Sequence, residues 1–312
     1  MAKVIIRADS SYEIGIGHIM RDLVLAEQFG DVLFAVRSLE GSINHKISDA
    51  GYPFELLSGG SVEELAQLIK KYGAETLVID NYGIGYDFEK RIKELTGVKI
   101  ICLDDYYERH FCDVLLSPNM SADPARYKGL VPEGCELRCG MGHALIRREL
   151  KEARAAGGQR IKNRVFVAMG GTDSYNMNIR VLEQLEQVPE LTADVVTTSA
   201  NVRLDGLREY AATHARVHLH VDSQNIGRLM SAADFGVITA SVSANEAVFM
   251  GLPFIAVLVA DNQLEIYNYL KSKGFLCIEK ENIERLPDLL RQLSADRSRY
   301  EEITTNVAES GI

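Results

Sequence analysis

The chain has no excess of positive charge: 34 Lys and Arg stand against 44 Asp and Glu, a formal net charge of −10 over 312 residues. That balance argues against nucleic acid or an anionic membrane surface as a bulk partner, while leaving room for a local basic pocket that takes one phosphate group. No apolar run reaches the ~18–20 residues that cross a bilayer. The N-terminal stretch, MAKVIIRADSS, lacks a signal peptide's long apolar region and small-residue cleavage site. The chain is therefore expected in the cytoplasm. Cysteine is scarce and odd in number, at positions 102, 112, 135, 139 and 277. Cys135 and Cys139 have no second Cys or His pair at zinc-like spacing. The five are read as reduced, mostly buried thiols. Also missing are a Walker P-loop, HExxH, a Ser-His-Asp order, a supported DxD-like metal pair, short-period repeats and low-complexity tracts.

What is present is an ordinary globular composition, 46% apolar and 25% charged. The length suits two domains of ~100–200 residues each. Apolar, β-rich runs occur at VIIRAD (4–9), VLFAVR (32–37), TLVIDNY (76–82), KIICLDD (99–105) and DVLLSP (113–118). Helical patterns lie between them. Residues 18–29 carry Ile19, Leu23 and Ala26 on one face, and 62–73 and 88–97 both end in a glycine stop. The charged stretch 142–163, with its Gly-Gly, breaks the rhythm and reads as a linker. The alternation restarts at RVFVAMGG (164–171), ADVVTTSA (193–200), RVHLHVD (216–222), DFGVITAS (234–241) and PFIAVLVA (253–260). Near-continuous apolar strands alternating with helices predict parallel sheets covered on both faces. The expected fold is α/β, with doubly wound, Rossmann-like domains at 1–150 and 151–312 facing each other across a cleft.

Ligands of open parallel sheets bind outside the carboxyl ends of strands. The first such end carries Gly15-Ile-Gly17-His18. It is not a dinucleotide fingerprint: position 20 is Met rather than the third glycine, and no acidic residue closes VLFAVR to meet a ribose. His18 is left as the feature. A helix N-terminus disfavours imidazolium, so a histidine there tends to be neutral, as a general base needs. The alternative is a histidine that caps its own helix.

The second end is Met169-Gly170-Gly171-Thr172-Asp173, whose glycines suit close backbone approach to a diphosphate, or simply a tight turn. The third is TASVSANEAVFMGLP, 239–253, where small residues including Ser241 and Ser243 lead into a helix with Asn245 and Glu246. Hydroxyls and N–H groups at a helix start bind phosphate, and a carboxylate there can take both ribose hydroxyls or simply favour the helix. Asn262 and Gln263 follow the next strand and could cap a helix; Tyr82 follows TLVID and could bind a sugar or sit half-buried. Asp104 and Asp105 are adjacent and point to opposite faces, which argues against a carboxylate dyad. His218 and His220 share one face of a strand without a third ligand and read as structural.

MGGTD and SVSANEAVFMGLP together resemble the nucleotide-binding half of MurG-like enzymes of the GT-B superfamily. RADSSYEIGIGHIMRDLVLA, VIDNYGI, ICLDD, CDVLLSPN and GMGHALIRREL resemble the nucleotide-sugar hydrolase family of pseudaminic acid biosynthesis. The matching motifs run to about Gly274. The resemblance implies hydrolysis of UDP-2,4-diacetamido-2,4,6-trideoxy-β-L-altropyranose to UDP and the free sugar, by water attack at the anomeric carbon with inversion. It implies no metal and no cofactor, and a role upstream of flagellin glycosylation. It makes His18 the base and sets Gly17, Arg21, Tyr82, Asn262 and Gln263 on the substrate. Gly170, Gly171, Thr172, Ser241, Ser243, Ala244 and Asn245 would surround the diphosphate, with Glu246 on the ribose. The expected partner is a small-molecule UDP-sugar, bound by a monomer that engages neither nucleic acid nor membrane.

The main rival is a UDP-sugar-dependent glycosyltransferase. A lipid-acceptor transferase would show a basic, apolar patch in its first half, whereas residues 1–150 carry 17 Lys and Arg against 23 Asp and Glu. A non-catalytic UDP-sugar sensor is a second rival; it would need no neutral histidine.

Overall fold

The computed structural model describes residues 3–309. The chain forms two compact units, Met1–Leu145 and Ile146–Ile312. The first is built on strands β1 (Lys3–Ala8), β2 (Val32–Arg37), β3 (Phe54–Leu57), β4 (Ala74–Asp80), β5 (Lys99–Leu103), β6 (Val114–Ser117) and β7 (Glu136–Cys139). They make one parallel sheet in the order β3-β2-β1-β4-β5-β6-β7. Its helices are α1 (Gly17–Ala26), α2 (His45–Asp49), α3 (Val62–Tyr72) and α4 (Tyr86–Thr96).

The second unit has strands β8 (Arg164–Ala168), β9 (Thr192–Thr197), β10 (Val217–Val221), β11 (Phe235–Thr239), β12 (Phe254–Leu258) and β13 (Leu276–Glu279). They pair in parallel in the order β10-β9-β8-β11-β12-β13. Helices α5 (Arg148–Ala156), α6 (Met177–Leu185), α7 (Leu204–Thr213), α8 (Ile226–Ala232), α9 (Val242–Phe249), α10 (Leu264–Ser272), α11 (Leu286–Ala295) and α12 (Arg297–Glu309) complete it.

Both faces of the first sheet are buried. Ile5, Leu33, Ala35, Leu77 and Ile79 belong to one core, and Val4, Ile6, Phe34, Val36 and Val78 to another. This double burial is why the strands read as continuous apolar runs rather than as alternating patterns. Helix α3 shows how local sequence sets its ends. The Ser61 hydroxyl accepts from Glu64 N, the Glu64 carboxylate accepts from the Ser58 and Gly60 amides, and Gly73 closes the helix at φ 61°.

Three strands escape the sequence pattern: β3, β7 and β13. Each has four residues and lies at a sheet edge, where one flank is unpaired, and a run this short carries little periodic signal even where, as at Leu276 and Ile278, its side chains are buried. The 142–163 stretch is not featureless either. It contains α5, whose Leu150 is fully buried, and α5 crosses α8 so closely that a Cβ on Gly227 would sit 2.7 Å from the Glu149 carbonyl oxygen. Among the described residues no helix is long and apolar enough to cross a membrane.

In each sheet the order reverses at its first strand, with β1 between β2 and β4 and β8 between β9 and β11. Such reversals are where connections leave on opposite faces and open a crevice at the carboxyl ends. The GIGH loop follows β1 and Tyr82 follows β4; the MGGTD turn follows β8 and SVSANE follows β11.

Candidate active site

The loop after β1 closes on itself. Ser11 and Gly15 exchange backbone hydrogen bonds at 3.3 and 2.9 Å, and the Ser11 hydroxyl accepts from the amides of Glu13 and Ile14. Gly15 sits at φ +83°, a conformation costly for a side chain. Helix α1 then starts at Gly17, with no side chain capping its first turn.

His18 does not cap its own helix. Its ring reaches β4, where Nδ1 lies 3.2 Å from the Asp80 carbonyl oxygen and 3.6 Å from the Asp80 carboxylate. A carbonyl oxygen only accepts, so Nδ1 carries the hydrogen and Nε2 is the nitrogen left to give up or take a proton. Tyr82 stands edge-on to the imidazole, ring centroids 4.5 Å apart.

Arg21, one turn on, donates from Nε and Nη2 to the two oxygens of Asp80 at 2.6 and 2.5 Å, and from Nη1 to Asp105 at 2.7 Å. Tyr82 and Asn119 also donate to Asp105, at 3.0 and 2.8 Å. Burial pushes the Asp80 carboxyl up, but Arg21 outweighs it and holds the group below the usual carboxylate range. Asp22 is the opposite case: wholly buried, with neither oxygen hydrogen-bonded, it is driven well above its ordinary pKa by burial and by Asp80. His18, Arg21 and Tyr82 thus form one cluster, organised by Asp80 and Asp105. Asp104 turns away from Asp105 to accept from Tyr127 at 2.8 Å and from the Tyr106 amide at 3.0 Å.

In the second unit Ala168 pairs with Ile238, so the MGGTD turn and the SVSANE segment leave neighbouring strand ends. Gly170 is at φ +88°; Thr198 donates to the Gly171 carbonyl at 2.9 Å, and the Val202 amide donates to the Thr172 carbonyl at 3.1 Å. Asp173 caps α6, accepting from Met177 and Asn178 amides. Ser241 opens α9 with its Oγ 2.8 Å from Thr239 Oγ1; Ser243 is half-buried, and Ala244, Asn245 and Glu246 are buried. Glu246 lies one turn inside α9 rather than in its first turn. Its carboxylate is gripped by Arg147, with Nε to Oε1 at 2.6 Å and Nη2 to Oε2 at 2.8 Å. Asn262 and Gln263 form a short turn after β12, and the Gln263 side chain accepts from the Val259 amide at 3.0 Å. A separate cavity of about 570 Å³, lined by Asn176, Ser199, Asn201 and Arg203 among others, takes in none of Ser241–Glu246.

All five cysteines are free; Cys102 and Cys112 are buried and the others half-buried. Among the described residues the group of His, Cys and acidic side chains that could hold a metal is Glu89, Cys102 and His110, all buried. Its donors already serve one another: Glu89 accepts from His110 Nδ1 at 2.7 Å and from Cys102 at 3.2 Å. His220 pairs with Asp194 at 2.9 Å. The sequence missed Asp80, Arg147 and the Glu89 group. Asp80 carried one signal, a carboxylate directly after the buried apolar run Leu77–Ile79; Arg147 carried none.

No protein-family model matches the chain. It is 42% identical over 273 residues to the UDP-2,4-diacetamido-2,4,6-trideoxy-beta-L-altropyranose hydrolase of Campylobacter jejuni, covering 88% of this chain and 97% of that one. It is 22% identical to the spore coat polysaccharide biosynthesis protein SpsG of Bacillus subtilis, over 94% of this chain and 88% of the other. Among solved structures, the fold is similar to MurG of Acinetobacter baumannii (TM-score 0.67, 13% identity, 99% and 95% coverage). It is also similar to the spinosyn rhamnosyltransferase SpnG bound to spinosyn aglycone (TM-score 0.63, 12% identity, 100% and 96% coverage). These structural likenesses show a GT-B fold. With that fold, and with near-complete coverage of a curated relative at 42% identity, the chain belongs to the family of UDP-2,4-diacetamido-2,4,6-trideoxy-beta-L-altropyranose hydrolases.

Proposed function

We propose that the chain hydrolyses a UDP-linked diacetamido-trideoxy-altropyranose to UDP and the free sugar, with His18 as general base. The observation that carries the activity is the 42% identity to the hydrolase across 97% of its length. For the base, support comes from the His18 ring: with Nδ1 committed to the Asp80 carbonyl at 3.2 Å, Nε2 is the proton acceptor. In the reaction a water oxygen attacks the anomeric carbon from the face opposite UDP while its proton passes to Nε2. The bond from that carbon to the diphosphate oxygen breaks and the electron pair leaves with UDP, so the configuration inverts.

Gly17, Arg21, Tyr82, Asn262 and Gln263 serve the sugar in this reading. Gly170, Gly171 and Thr172, with Ser241, Ser243, Ala244 and Asn245, serve the diphosphate, and Glu246 takes the ribose. The amides at the start of α9 supply dipoles for the charge that develops on the leaving group. That arrangement supports a reaction without a metal. The same reading has a monomer working in the cytoplasm, supplying a sugar destined for flagellin glycosylation.

The test is incubation of the purified protein with the UDP-sugar and EDTA, without any acceptor, following UDP and the sugar anomer by NMR. Stoichiometric UDP and inverted free sugar are expected. UDP release only when an acceptor is added would make the protein a transferase.

A further inference from the structure

We propose that Arg147 is the positioning residue for Glu246 and thereby sets the preference of the site for a ribonucleotide over a deoxyribonucleotide. The inference rests on the reading that Glu246 takes the UDP ribose. The two residues are 99 positions apart, yet their side chains meet side-on, with Nε on Oε1 and Nη2 on Oε2. The Glu246 side chain is 7% exposed and the Arg147 side chain 29%. A carboxylate offers about four lone-pair sites, and the arginine fork uses one on each oxygen. One site on each oxygen remains, which is the acceptor pattern that the vicinal 2′- and 3′-hydroxyls of a ribose require.

Arg147 is itself held from behind. Its Nη1 donates to Glu149 Oε1 at 3.0 Å, and Glu149 lies in the first turn of α5. Burial pushes the Glu149 carboxyl up; Arg147 opposes this and Glu246 adds to it. Helix α5 is fixed against α8, because Gly227 leaves no room for a side chain beside Glu149, Leu150 and Ala153. The fork is therefore aimed by packed helices. A lysine in its place would provide a point charge without fixing the plane of the carboxylate.

The experiment measures the affinities of UDP and 2′-deoxy-UDP by calorimetry for the wild type, Arg147→Lys, Arg147→Met, Glu246→Gln and the Arg147→Met/Glu246→Gln double variant. Wild type should prefer UDP by roughly tenfold to a hundredfold, the worth of a hydrogen bond to a charged group. Glu246→Gln and Arg147→Met should both bring the ratio close to one, and the double variant should lower it no further. Arg147→Lys keeps the charge and should fold; it should lose most of the preference, with the loss in turnover falling on KM more than on kcat. Should Arg147→Met fail to fold, Arg147→Lys decides. Equal weakening of both nucleotides in the folded Arg147 variants, with Glu246→Gln still removing the preference, overturns the inference and leaves the ribose reading standing. A Glu246→Gln protein that keeps the wild-type ratio overturns the ribose reading and the inference with it.

Discussion

Nδ1 of His18 lies 3.2 Å from the main-chain oxygen of Asp80. The contact fixes the tautomer through the backbone, so it does not depend on how the Asp80 carboxylate is paired. In the proposed reaction this leaves the outer nitrogen to take the proton of water. Asparagine at position 18 can still donate to that oxygen but has no basic nitrogen. His18→Asn should therefore lower kcat by roughly a hundredfold to ten-thousandfold, with the Kd for UDP unchanged by calorimetry. Loss of both would assign His18 to the framework rather than to the chemistry.

Burial and the neighbouring Asp80 carboxylate hold the Asp22 pKa well above its ordinary value in the folded protein. The unfolded chain releases the Asp22 proton near pH ~3.9. Between the two pKa values the native state binds more protons than the unfolded one, so this group's contribution to stability falls as pH rises. Asp22→Asn removes the titration. Urea unfolding should show the variant gaining on wild type as pH climbs above about 4. A constant difference across that range would refute the raised pKa.

His110 behaves in the opposite sense. Burial alone would lower its pKa, but Asp104 and Glu89 raise it to about 9. The folded protein holds the proton more tightly than the unfolded chain, whose histidine titrates near ~6.5. The stabilisation is complete below that value and is lost as pH climbs through about 9. Its size is on the order of 3 kcal/mol. His110→Gln should flatten the stability profile between pH 6.5 and 9, measured by chemical denaturation.

Gly227 marks the α5–α8 crossing, where a Cβ would meet the Glu149 oxygen at 2.7 Å and the Ala153 Cβ at 2.8 Å. Gly227→Ala must push α5 outward, at about 1–3 kcal/mol for overpacking. Because Arg147 directly precedes α5, the variant should also weaken UDP binding without touching Gly170–Thr172 or Ser241–Ser243. Thermal melting and calorimetry on the one protein test both parts. A destabilised variant with wild-type UDP affinity would uncouple the crossing from the nucleotide.

Much of the architecture was legible because continuous apolar strands such as VLFAVR have few other uses in a chain of this composition. Helix α3 was legible because Ser61, Glu64 and Gly73 encode its ends locally. Strand β7, ELRC, was not, since an edge strand needs no apolar run. The site divides the same way. His18 and Glu246 stand in recognisable local patterns, but what they touch does not: Arg21 meets Asp80 across 59 residues and Arg147 meets Glu246 across 99. Long-range ion pairs leave no periodicity, and Arg147 sits in a charged stretch that sequence alone reads as a linker.

The strand order also governs what happens while the chain is being made. β1 leaves the ribosome before both of its neighbours and ends between β2 and β4, with Ala8 beside Asp80. Its second edge must wait for about 70 further residues, or roughly 4–14 s at the usual rate of synthesis. β8 faces the same delay, because β11 is its second neighbour. During both intervals an apolar strand with an open edge is exposed to other nascent chains. Rare codons placed before Ala74 or Phe235 would prolong that exposure, and faster synthesis there would shorten it.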